Sequence, residues 1–310
     1  MAQEREDVVL KIYTTGSGKN LGEKIARCLG TTPSPVNIGK YPDGQIFNHI
    51  LETPHNEVAL VVGNTQGPVE FTELLTLLDT VQGFSVQKTV VIVPYFGAGR
   101  QDRADQEGED IAGRMQMTAI ASRRPNRVLL VDLHNAGIQY CTALDMRIRV
   151  KELYAKPIFF DVIRDMRISS EFVFASADVG RLRIARSYAK EFNVSAVSLD
   201  KRRAGPGEVE VMHIIGDVAN KTVIMIDDIV DSGGTVMKGA EALKNAGAKD
   251  IHLFATHAVL SGQGYERFAH SNIFFASAHI TDTIAIREPS MFQVHSIAPL
   301  IAEYTRKEIL

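Results

Sequence analysis

The sequence has few of the features that mark exported, membrane-bound or cysteine-rich proteins. It contains only two cysteines, Cys28 and Cys141, which is too few for a disulfide framework or a cysteine metal site. No apolar run approaches the ~18 residues of a membrane span, and the first residues, 1–15, are charged where a signal peptide would be apolar. We therefore expect a protein of the reducing cytoplasm that does not associate with membranes.

The charge balance argues against one class of partner. The 34 Lys and Arg residues nearly match the 37 Asp and Glu residues, and the formal net charge is −3. Nucleic-acid-binding proteins usually carry clustered basic residues, and no such cluster longer than a few residues occurs here. We therefore expect a small-molecule partner and no nucleic acid. The 310 residues are enough for two domains, because single hydrophobic cores stop growing near ~250–300 residues.

Short apolar runs, rich in β-branched residues, alternate with stretches such as 71–81 and 236–245, whose apolar residues recur at helical spacing. The short runs are continuous, which is typical of strands buried on both faces of a parallel sheet. This pattern predicts an α/β, doubly wound chain, with two similar halves that join near 145–158. The predicted strands are Val58–Val62, Thr89–Val93, Val128–Val131, Phe172–Phe174, Val223–Ile226 and Ile251–Phe254.

The strongest local pattern is an apolar strand that runs into two carboxylates, then a turn of small residues, then a helix that begins near Val236. Backbone N–H groups of such a turn and the positive end of the helix bind phosphate, and adjacent carboxylates accept hydrogen bonds from sugar hydroxyls. The pattern therefore indicates a ribose 5-phosphate site, although an ordinary surface turn with an aspartate cap has similar residues. The candidate residues are Asp227, Asp228, Asp231, Ser232, Gly233, Gly234 and Thr235.

The segment IDDIVDSGGT, residues 226–235, resembles the ribose-phosphate loop shared by type I phosphoribosyltransferases and phosphoribosyl pyrophosphate (PRPP) synthetases. Other segments, in the same order, resemble the synthetases, also called ribose-phosphate pyrophosphokinases, and not the transferases. This resemblance covers nearly the whole chain. The segments are YPDGQ at 41–45, PYFGAGRQDR at 94–103, VDLHNAGIQ at 131–139, LDKRR at 199–203 and VMHIIGDV at 211–218.

The resemblance implies a fold, a reaction and an assembly. Two similar, mainly parallel-sheet domains of type I phosphoribosyltransferase-like fold are expected at 1–149 and 150–296, with a C-terminal helix at 297–310 packing back on the first domain. The family transfers the diphosphoryl group of Mg-ATP to the C1 hydroxyl of ribose 5-phosphate, giving PRPP and AMP. Members commonly form homo-hexamers, in which the hairpin that matches residues 41–45 reaches the ATP site of a neighbouring subunit.

The candidate ATP-binding residues lie in two of these segments. Arg100 follows a predicted strand and a glycine-containing loop, a position from which a guanidinium can bind phosphate oxygens bidentately. An aromatic ring at Tyr41 can stack on a purine, although the family commonly has Phe there and Glu at the position of Gln45. By resemblance, the residues that contact ATP are Tyr41, Asp43, Gln45, Arg100, Gln101 and Asp105.

The resemblance also implies a metal site and a mobile catalytic loop. In the family, the residues that match His134 and Asp178 help to hold a divalent cation near the ATP. One imidazole and one carboxylate, completed by water and phosphate oxygens, suit Mg²⁺ better than Zn²⁺. The loop that begins at Lys201 and Arg203 closes over the reactants in the family. Phosphoryl-type transfer depends on positioned cations, so Lys201, Arg203 and His134 are the expected catalytic residues.

Departures from the family pattern cluster after His134. Gly137 replaces a glutamine, residues 140–142 replace Gly-Phe-Phe, and the segment 132–154 is about four residues longer than usual, a difference that loops absorb at small entropic cost. One interpretation is a wider pocket that admits a bulkier ribose 5-phosphate ester such as ADP-ribose. A second is a noncatalytic regulatory subunit, against which the retained Lys201 and Arg203 argue.

Two further departures concern charge. Ile184 stands where an arginine usually follows the ADVGG motif, with Arg181 and Arg183 nearby, and the segment ADQEG at 104–108 lacks the basic residues of regulated members. Its acidic character argues against regulation by ADP and inorganic phosphate. A phosphoribosyltransferase remains a third alternative, although it would not need the segment 94–103.

Overall fold

The structure of the protein is a computed structural model that describes residues 9–140, 148–168, 171–177, 179–202, 211–271 and 274–310. The chain divides into two compact units. Unit 1 comprises the described residues of Met1–Tyr154, Thr283–Ala285 and Ser296–Leu310, and unit 2 those of Ala155–Asp282 and Ile286–His295. The predicted domain boundaries after residues 149 and 296 stay predictions. None of the described helices is both long and apolar enough to cross a bilayer.

Unit 1 is built on a five-stranded parallel sheet in the order β1-β4-β5-β6-β7, with a separate antiparallel hairpin, β2–β3. Its strands are β1 (Leu10–Thr14), β2 (Val36–Lys40), β3 (Ile46–Ile50), β4 (Val58–Val62), β5 (Lys88–Val93), β6 (Arg127–Val131) and β7 (Arg149–Leu153). Its helices in the first part of the chain are α1 (Lys19–Leu29), α2 (Pro68–Gln82) and α3 (Ala112–Ala121).

The apolar patterns of unit 1 explain its layers. Every residue of β4 is buried, as expected for a strand covered on both faces. Helix α2 begins with Pro68, and its buried residues recur at helical spacing, which places one apolar stripe against the sheet. Those residues are Leu74, Leu77, Leu78 and Val81. The core of unit 1 therefore lies between the parallel sheet and its helices.

The C-terminal helix α8 (Ala298–Glu308) belongs to unit 1 and packs against α1. Three donors fix it there. Arg306 donates to the carbonyl oxygen of Cys28, Lys88 Nζ lies 2.5 Å from the carbonyl oxygen of Ile309, and Arg127 Nη1 lies 2.5 Å from the Tyr304 hydroxyl. The last part of the sequence thus completes the fold of the first.

Unit 2 contains a seven-stranded sheet in the order β10-β9-β8-β11-β12-β13-β14, which is parallel except for the antiparallel pair β9–β10. Its strands are β8 (Phe172–Ser176), β9 (Ala196–Arg202), β10 (Val211–Ile215), β11 (Thr222–Val230), β12 (Ile251–Ala258), β13 (Ser277–Thr281) and β14 (Gln293–His295). Its helices are α4 (Lys156–Asp165), α5 (Leu182–Phe192), α6 (Gly234–Asn245) and α7 (Gly264–Ala269). The predicted α/β fold with parallel sheets is confirmed.

Candidate active site

The acidic pair lies at the carboxyl end of β11, the central strand of unit 2. Five residues of β11, up to Ile226, are fully enclosed by the sheet and its helices. Strand β8 pairs with β11 as far as the register Ile226↔Ser176, so Asp227 and Asp228 continue beyond the end of β8. Ligands of open parallel sheets bind at this edge, and the strand thus delivers both carboxylates to a ligand-binding position.

The turn that follows β11 is the predicted anion cradle, and a glycine and two hydrogen bonds shape it. Gly233, directly before helix α6, has a left-handed φ of +77°, and a Cβ added there would lie 3.1 Å from Phe268 Cε2. A residue with a side chain is therefore disfavoured by conformation and by space. The Ser232 carbonyl accepts a hydrogen bond of 2.7 Å from Arg267 Nη1, and the Asp231 carboxylate accepts one from Ser261. These contacts hold the turn with the start of α6 directed to the open edge.

The carboxylates of the pair are held by short hydrogen bonds. The backbone N–H of Asp228 donates to Asp227 Oδ1 at 2.9 Å, and Arg181 Nη2 lies 2.8 Å from Asp228 Oδ2. Burial and the neighbouring Asp228 carboxylate raise the pKa of Asp227 well above its ordinary value, an effect that Arg181 opposes. The pair therefore holds more negative charge than its surroundings favour, and a cation or hydroxyl donors would relieve it.

In unit 1, the structure brings the predicted ATP-binding loop beside the predicted metal ligand. A 3₁₀ turn at Gly97–Arg100 follows β5, and a Cβ added at Gly99 would lie 3.7 Å from His134 Cβ. The carbonyl of Gln101 accepts from Gly113 N at 2.9 Å. Asp102, in the same loop, accepts a hydrogen bond from the Asn135 side chain. Two segments that sequence analysis treated separately thus form one cluster.

A carboxylate that sequence analysis did not single out fixes the turn after β6. Glu152, on β7, is only 3% exposed. Its Oε1 accepts from the backbone N–H of Leu133 at 2.8 Å, and its Oε2 accepts from Gln139 Nε2 at 2.7 Å and from the Tyr154 hydroxyl at 3.0 Å. Burial raises the pKa of Glu152. This network lies within the predicted divergent segment 132–154 and anchors both ends of it.

The hairpin tip at 41–45 is ordered by its own hydrogen bonds. Tyr41 N donates to the Gln45 carbonyl at 2.8 Å, and Gln45 N donates to Asp43 Oδ1 at 3.0 Å. The Tyr41 ring is half exposed and lies 4.9 Å from the Phe47 ring, centroid to centroid. The tip joins the two strands of the separate sheet β2–β3. Its part in ATP binding stays a prediction.

The other predicted site residues lie in different parts of the structure or outside the described residues. Asp105 is exposed and pairs with Arg103, at 2.9 Å between Nε and Oδ1. Lys201 lies in β9, where its backbone pairs with Met212 of β10. Asp178, Arg203 and Cys141 lie outside the described residues. Within the described ranges, no group of three or more His, Cys, Asp and Glu side chains could hold a metal ion.

Sequence analysis missed the contacts of three charged residues. Arg181 was noted only as a neighbour of Ile184, whereas the structure pairs it with Asp228. Arg267 and Glu152 were not considered. Arg267 lies 35 residues from its partner Ser232 in the sequence, and Glu152 lies 19 from Leu133. No local spacing rule connects positions so far apart, although each partner lies in a segment that the sequence marked as functional.

Comparison with known proteins shows the class first. Residues 150–284, which include the acidic pair and the cradle, match the phosphoribosyl transferase domain. Residues 10–122 match the N-terminal domain of ribose phosphate pyrophosphokinase. Together with the parallel sheets, these matches define an α/β protein of the phosphoribosyltransferase-like class, as predicted.

Relatives along the whole chain show the family. The chain is 37% identical to a ribose-phosphate pyrophosphokinase of Thermotoga maritima over 299 residues, which cover 95% of this chain and 93% of that one. It is 34% identical to the enzyme of the same name from Clostridium tetani, covering 99% and 96%. A crystal structure of phosphoribosylpyrophosphate synthetase from Mycobacterium smegmatis superposes with a TM-score of 0.86 at 26% identity, covering 96% and 97%. The chain belongs to the ribose-phosphate pyrophosphokinase family, a group of transferases, and the predicted resemblance is confirmed.

Proposed function

We propose that this protein transfers the β,γ-diphosphoryl group of ATP to the C1 hydroxyl of ribose 5-phosphate, giving PRPP and AMP. The observation that carries the proposal is the acidic pair and anion cradle at the end of β11, in a chain whose whole length matches ribose-phosphate pyrophosphokinases. The cradle alone would fit a transferase as well. The match of residues 10–122 to the pyrophosphokinase N-terminal domain favours the synthetase.

The acceptor is held in unit 2. The backbone N–H groups of 231–235 and the N-terminus of α6 bind the 5-phosphate, because they combine unobstructed donors with a partial positive charge. Asp227 and Asp228 accept hydrogen bonds from the ribose hydroxyls. The raised pKa of Asp227 supports this assignment, since hydroxyl donors compensate a carboxylate that is costly to leave ionised.

The donor nucleotide is held by residues of unit 1. Arg100 and Gln101, in the loop beside His134, bind phosphate oxygens of ATP, and Asp105 contacts the nucleotide. The hairpin residues Tyr41, Asp43 and Gln45 serve an ATP site of a neighbouring subunit in a homo-hexamer. The exposed Tyr41 ring supports that role, because it offers a stacking face outside the core of its own chain.

The expected donors, an imidazole and a carboxylate, are of a kind that suits a magnesium ion. His134, with Asp178, would hold Mg²⁺ at the phosphates of ATP, where the ion neutralises charge and orients the chain of phosphates. The buried, adjacent carboxylates at the end of β11 are costly to ionise together, a cost that a divalent cation would reduce. Carboxylate and phosphate oxygens are the ligands that Mg²⁺ prefers.

The chemical step is an in-line displacement at phosphorus. The C1 oxygen forms a bond to the β-phosphorus as the bond between that phosphorus and the α,β-bridging oxygen breaks. AMP leaves, and the hydroxyl proton passes to solvent. Lys201 and Arg203 stabilise the charge that develops on the transferring group, because such reactions depend on positioned cations more than on covalent catalysis. We assign no general base.

A mass-spectrometric assay tests the function. The protein is incubated with Mg-ATP and ribose 5-phosphate in one reaction and with Mg-ATP and ADP-ribose in another. The masses of the products are then measured. We expect AMP and PRPP with ribose 5-phosphate. AMP formed only with ADP-ribose would replace the acceptor with the bulkier ester, and the absence of AMP with both would favour a regulatory subunit. Release of pyrophosphate from PRPP and a base would identify a transferase.

A matched control separates this enzyme from a contaminating one. The variant Asp227→Asn/Asp228→Asn keeps the size of both side chains but not their charge, and it should release no AMP above background. Equal AMP formation by this variant and the unmodified protein would overturn the assignment of the acceptor site.

A further inference from the structure

The ion pair between Arg181 and Asp228 joins a residue of the proposed acceptor site to one with no assigned role. Arg181 Nη2 lies 2.8 Å from Asp228 Oδ2, and the two side chains are only 14% and 7% exposed. A charge-assisted hydrogen bond of this length in a buried setting is strong and directional. It constrains where the Asp228 carboxylate can lie.

The topology of unit 2 explains how the two residues meet. Strands β8 and β11 are parallel neighbours, paired up to Ser176 and Ile226. The segments that follow both strands therefore leave the sheet at the same edge. The 3₁₀ turn Val179–Arg181 is the continuation of β8, and Asp228 is the continuation of β11. The ion pair is thus a bridge across the carboxyl ends of two adjacent strands.

The position of Arg181 is unfavourable for helix stability. It precedes the first residue of α5, where the helix dipole favours negative charge. The first turn of α5 contains another cation, Arg183, and no acidic residue. Arg181 is also desolvated, and buried ion pairs often contribute little net stability relative to apolar side chains. Violations of local preference of this kind concentrate at functional sites.

The charge of Arg181 acts on the acidic pair as a whole. Two adjacent carboxylates repel one another, and ionisation of both is costly in a buried site. Arg181 opposes the rise in the pKa of Asp227 as well as binding Asp228 directly. Without this cation, the pKa of Asp227 would rise further, and Asp228 would lose a hydrogen bond that constrains its orientation.

We infer that Arg181 is a positioning residue of the acceptor site, which holds the Asp228 carboxylate oriented for the ribose hydroxyls. This inference rests on the proposed function. It also gives meaning to the departure at Ile184, because the chain places a guanidinium three residues earlier, at the edge where β8 and β11 end. Arg181 acts through Asp228 and does not itself contact the reacting phosphorus.

Steady-state kinetics of single variants provide the first test. We expect Arg181→Met, which keeps an unbranched apolar stem but removes the guanidinium, to raise KM for ribose 5-phosphate at least tenfold with KM for ATP within twofold. Arg181→Lys should recover part of the loss, since it restores the charge but not the planar geometry. The matched control is Arg183→Met, an exposed residue of α5, which should behave as the unmodified protein. An unchanged KM for ribose 5-phosphate in folded Arg181→Met would overturn the inference.

A double-mutant cycle provides a test that does not require turnover. Ribose 5-phosphate binding is measured by calorimetry, and unfolding by urea, for Arg181→Met, Asp228→Asn and the double variant. If Arg181 acts through Asp228, its substitution has no further effect on binding in the Asp228→Asn background. A further loss of binding in the double variant would refute the coupling.

The two tests also separate this inference from the proposed function. If the unmodified protein binds ribose 5-phosphate but releases no AMP, the reaction is wrong, and the cycle still decides whether Arg181 positions Asp228. If Arg181→Met alone does not fold, the double variant, which has no Asp228 carboxylate deprived of its arginine, should fold. Failure of both to fold, with folded Asp228→Asn, would show a structural role that is independent of Asp228 and would overturn the inference.

Discussion

Each unit of the protein holds acidic side chains at the carboxyl end of a parallel strand, and the two sets have different partners. Asp227 and Asp228, on β11 of unit 2, face one another and an arginine. Glu152, on β7 of unit 1, accepts hydrogen bonds from three neutral donors of the described chain: a backbone amide, a glutamine and a tyrosine. Burial raises the pKa of Asp227 and of Glu152 alike.

The difference between the sets lies in what their hydrogen bonds accomplish. The contacts of Glu152 join β7 to both ends of the turn after β6. Both oxygens of its carboxylate therefore accept hydrogen bonds that stabilise the fold. The acidic pair contacts an arginine and a local amide, and its two like charges lie side by side in a buried position, an arrangement that costs stability. A carboxylate with neutral donors on both oxygens is a structural anchor, and a crowded pair at an open edge is suited to a ligand.

The largest expected effect is on turnover. We expect Asp227→Asn/Asp228→Asn to lower kcat at least about 10³-fold, comparable to the loss of preorganised groups at other active sites, because amides cannot supply the charge and acceptors that the ribose hydroxyls need. AMP release measures the rate, and circular dichroism checks the fold. Near-normal turnover of the double variant would show that the acidic pair does not bind the substrate.

If Glu152 is a structural anchor, Glu152→Ala should cause a large loss of stability. Its removal leaves the buried Leu133 amide without this acceptor and takes one partner each from the Gln139 side chain and the Tyr154 hydroxyl, and a buried unsatisfied group costs about 1–3 kcal/mol. We expect a decrease in the free energy of unfolding of about 3 kcal/mol, measured in urea, with Glu107→Ala as the exposed control. A change no larger than that of the control would show that the network is not an anchor.

The pH dependence of stability distinguishes the two sets more finely. The pKa of Asp227 is raised by folding, so its contribution to stability is present at pH below its ordinary pKa and is lost as the pH rises through the raised value. Asn cannot ionise, so at pH 8 the melting temperature of Asp227→Asn should be about 2–4 °C higher than that of the unmodified protein. At pH 4 the two melting temperatures should be equal. Calorimetry without magnesium or nucleotide measures both. A lower melting temperature at pH 8 would contradict the assigned cost of the pair.

The smallest expected effect concerns one donor of the Glu152 network. Burial, with a contribution from Glu152, raises the pKa of the Tyr154 hydroxyl to about 12, so this group stays a donor at any practical pH. Tyr154→Phe removes a single hydrogen bond and leaves Oε2 with Gln139. We expect a loss of about 1 kcal/mol or less, again in urea. A loss as large as that of Glu152→Ala would mean that Tyr154, not Glu152, is the centre of the network.

Sequence reasoning succeeded where the determining residues are neighbours in the chain. The strand Val58–Val62, for example, has the bounds that its continuous apolar run predicted. The cradle is equally local, because the strand, carboxylates, glycine turn and helix start follow one another within 222–245. A single buried strand with a small-residue turn leaves few alternative conformations.

Contacts between distant segments could not be predicted in the same way. Arg181 and Asp228 are 47 residues apart, and they meet only because β8 and β11 are adjacent in the sheet, an order that apolar patterns do not reveal. Glu152 lies in a strand of mixed polarity, Arg149–Leu153, so nothing nearby indicates its burial. Such pairs require the strand order before they can be inferred.

The docking of α8 on α1 has a consequence for the order of folding. Arg306 and Cys28 are 278 residues apart, and all of unit 2 lies between them in the sequence. Contacts that close such long loops form late, because their entropic cost must be met before they contribute stability. Unit 2 is formed by residues 155–295, interrupted only at 283–285, so it can collapse early. Until α8 docks, the surface of α1 that it covers stays exposed, and transiently exposed surface of this kind promotes aggregation during refolding.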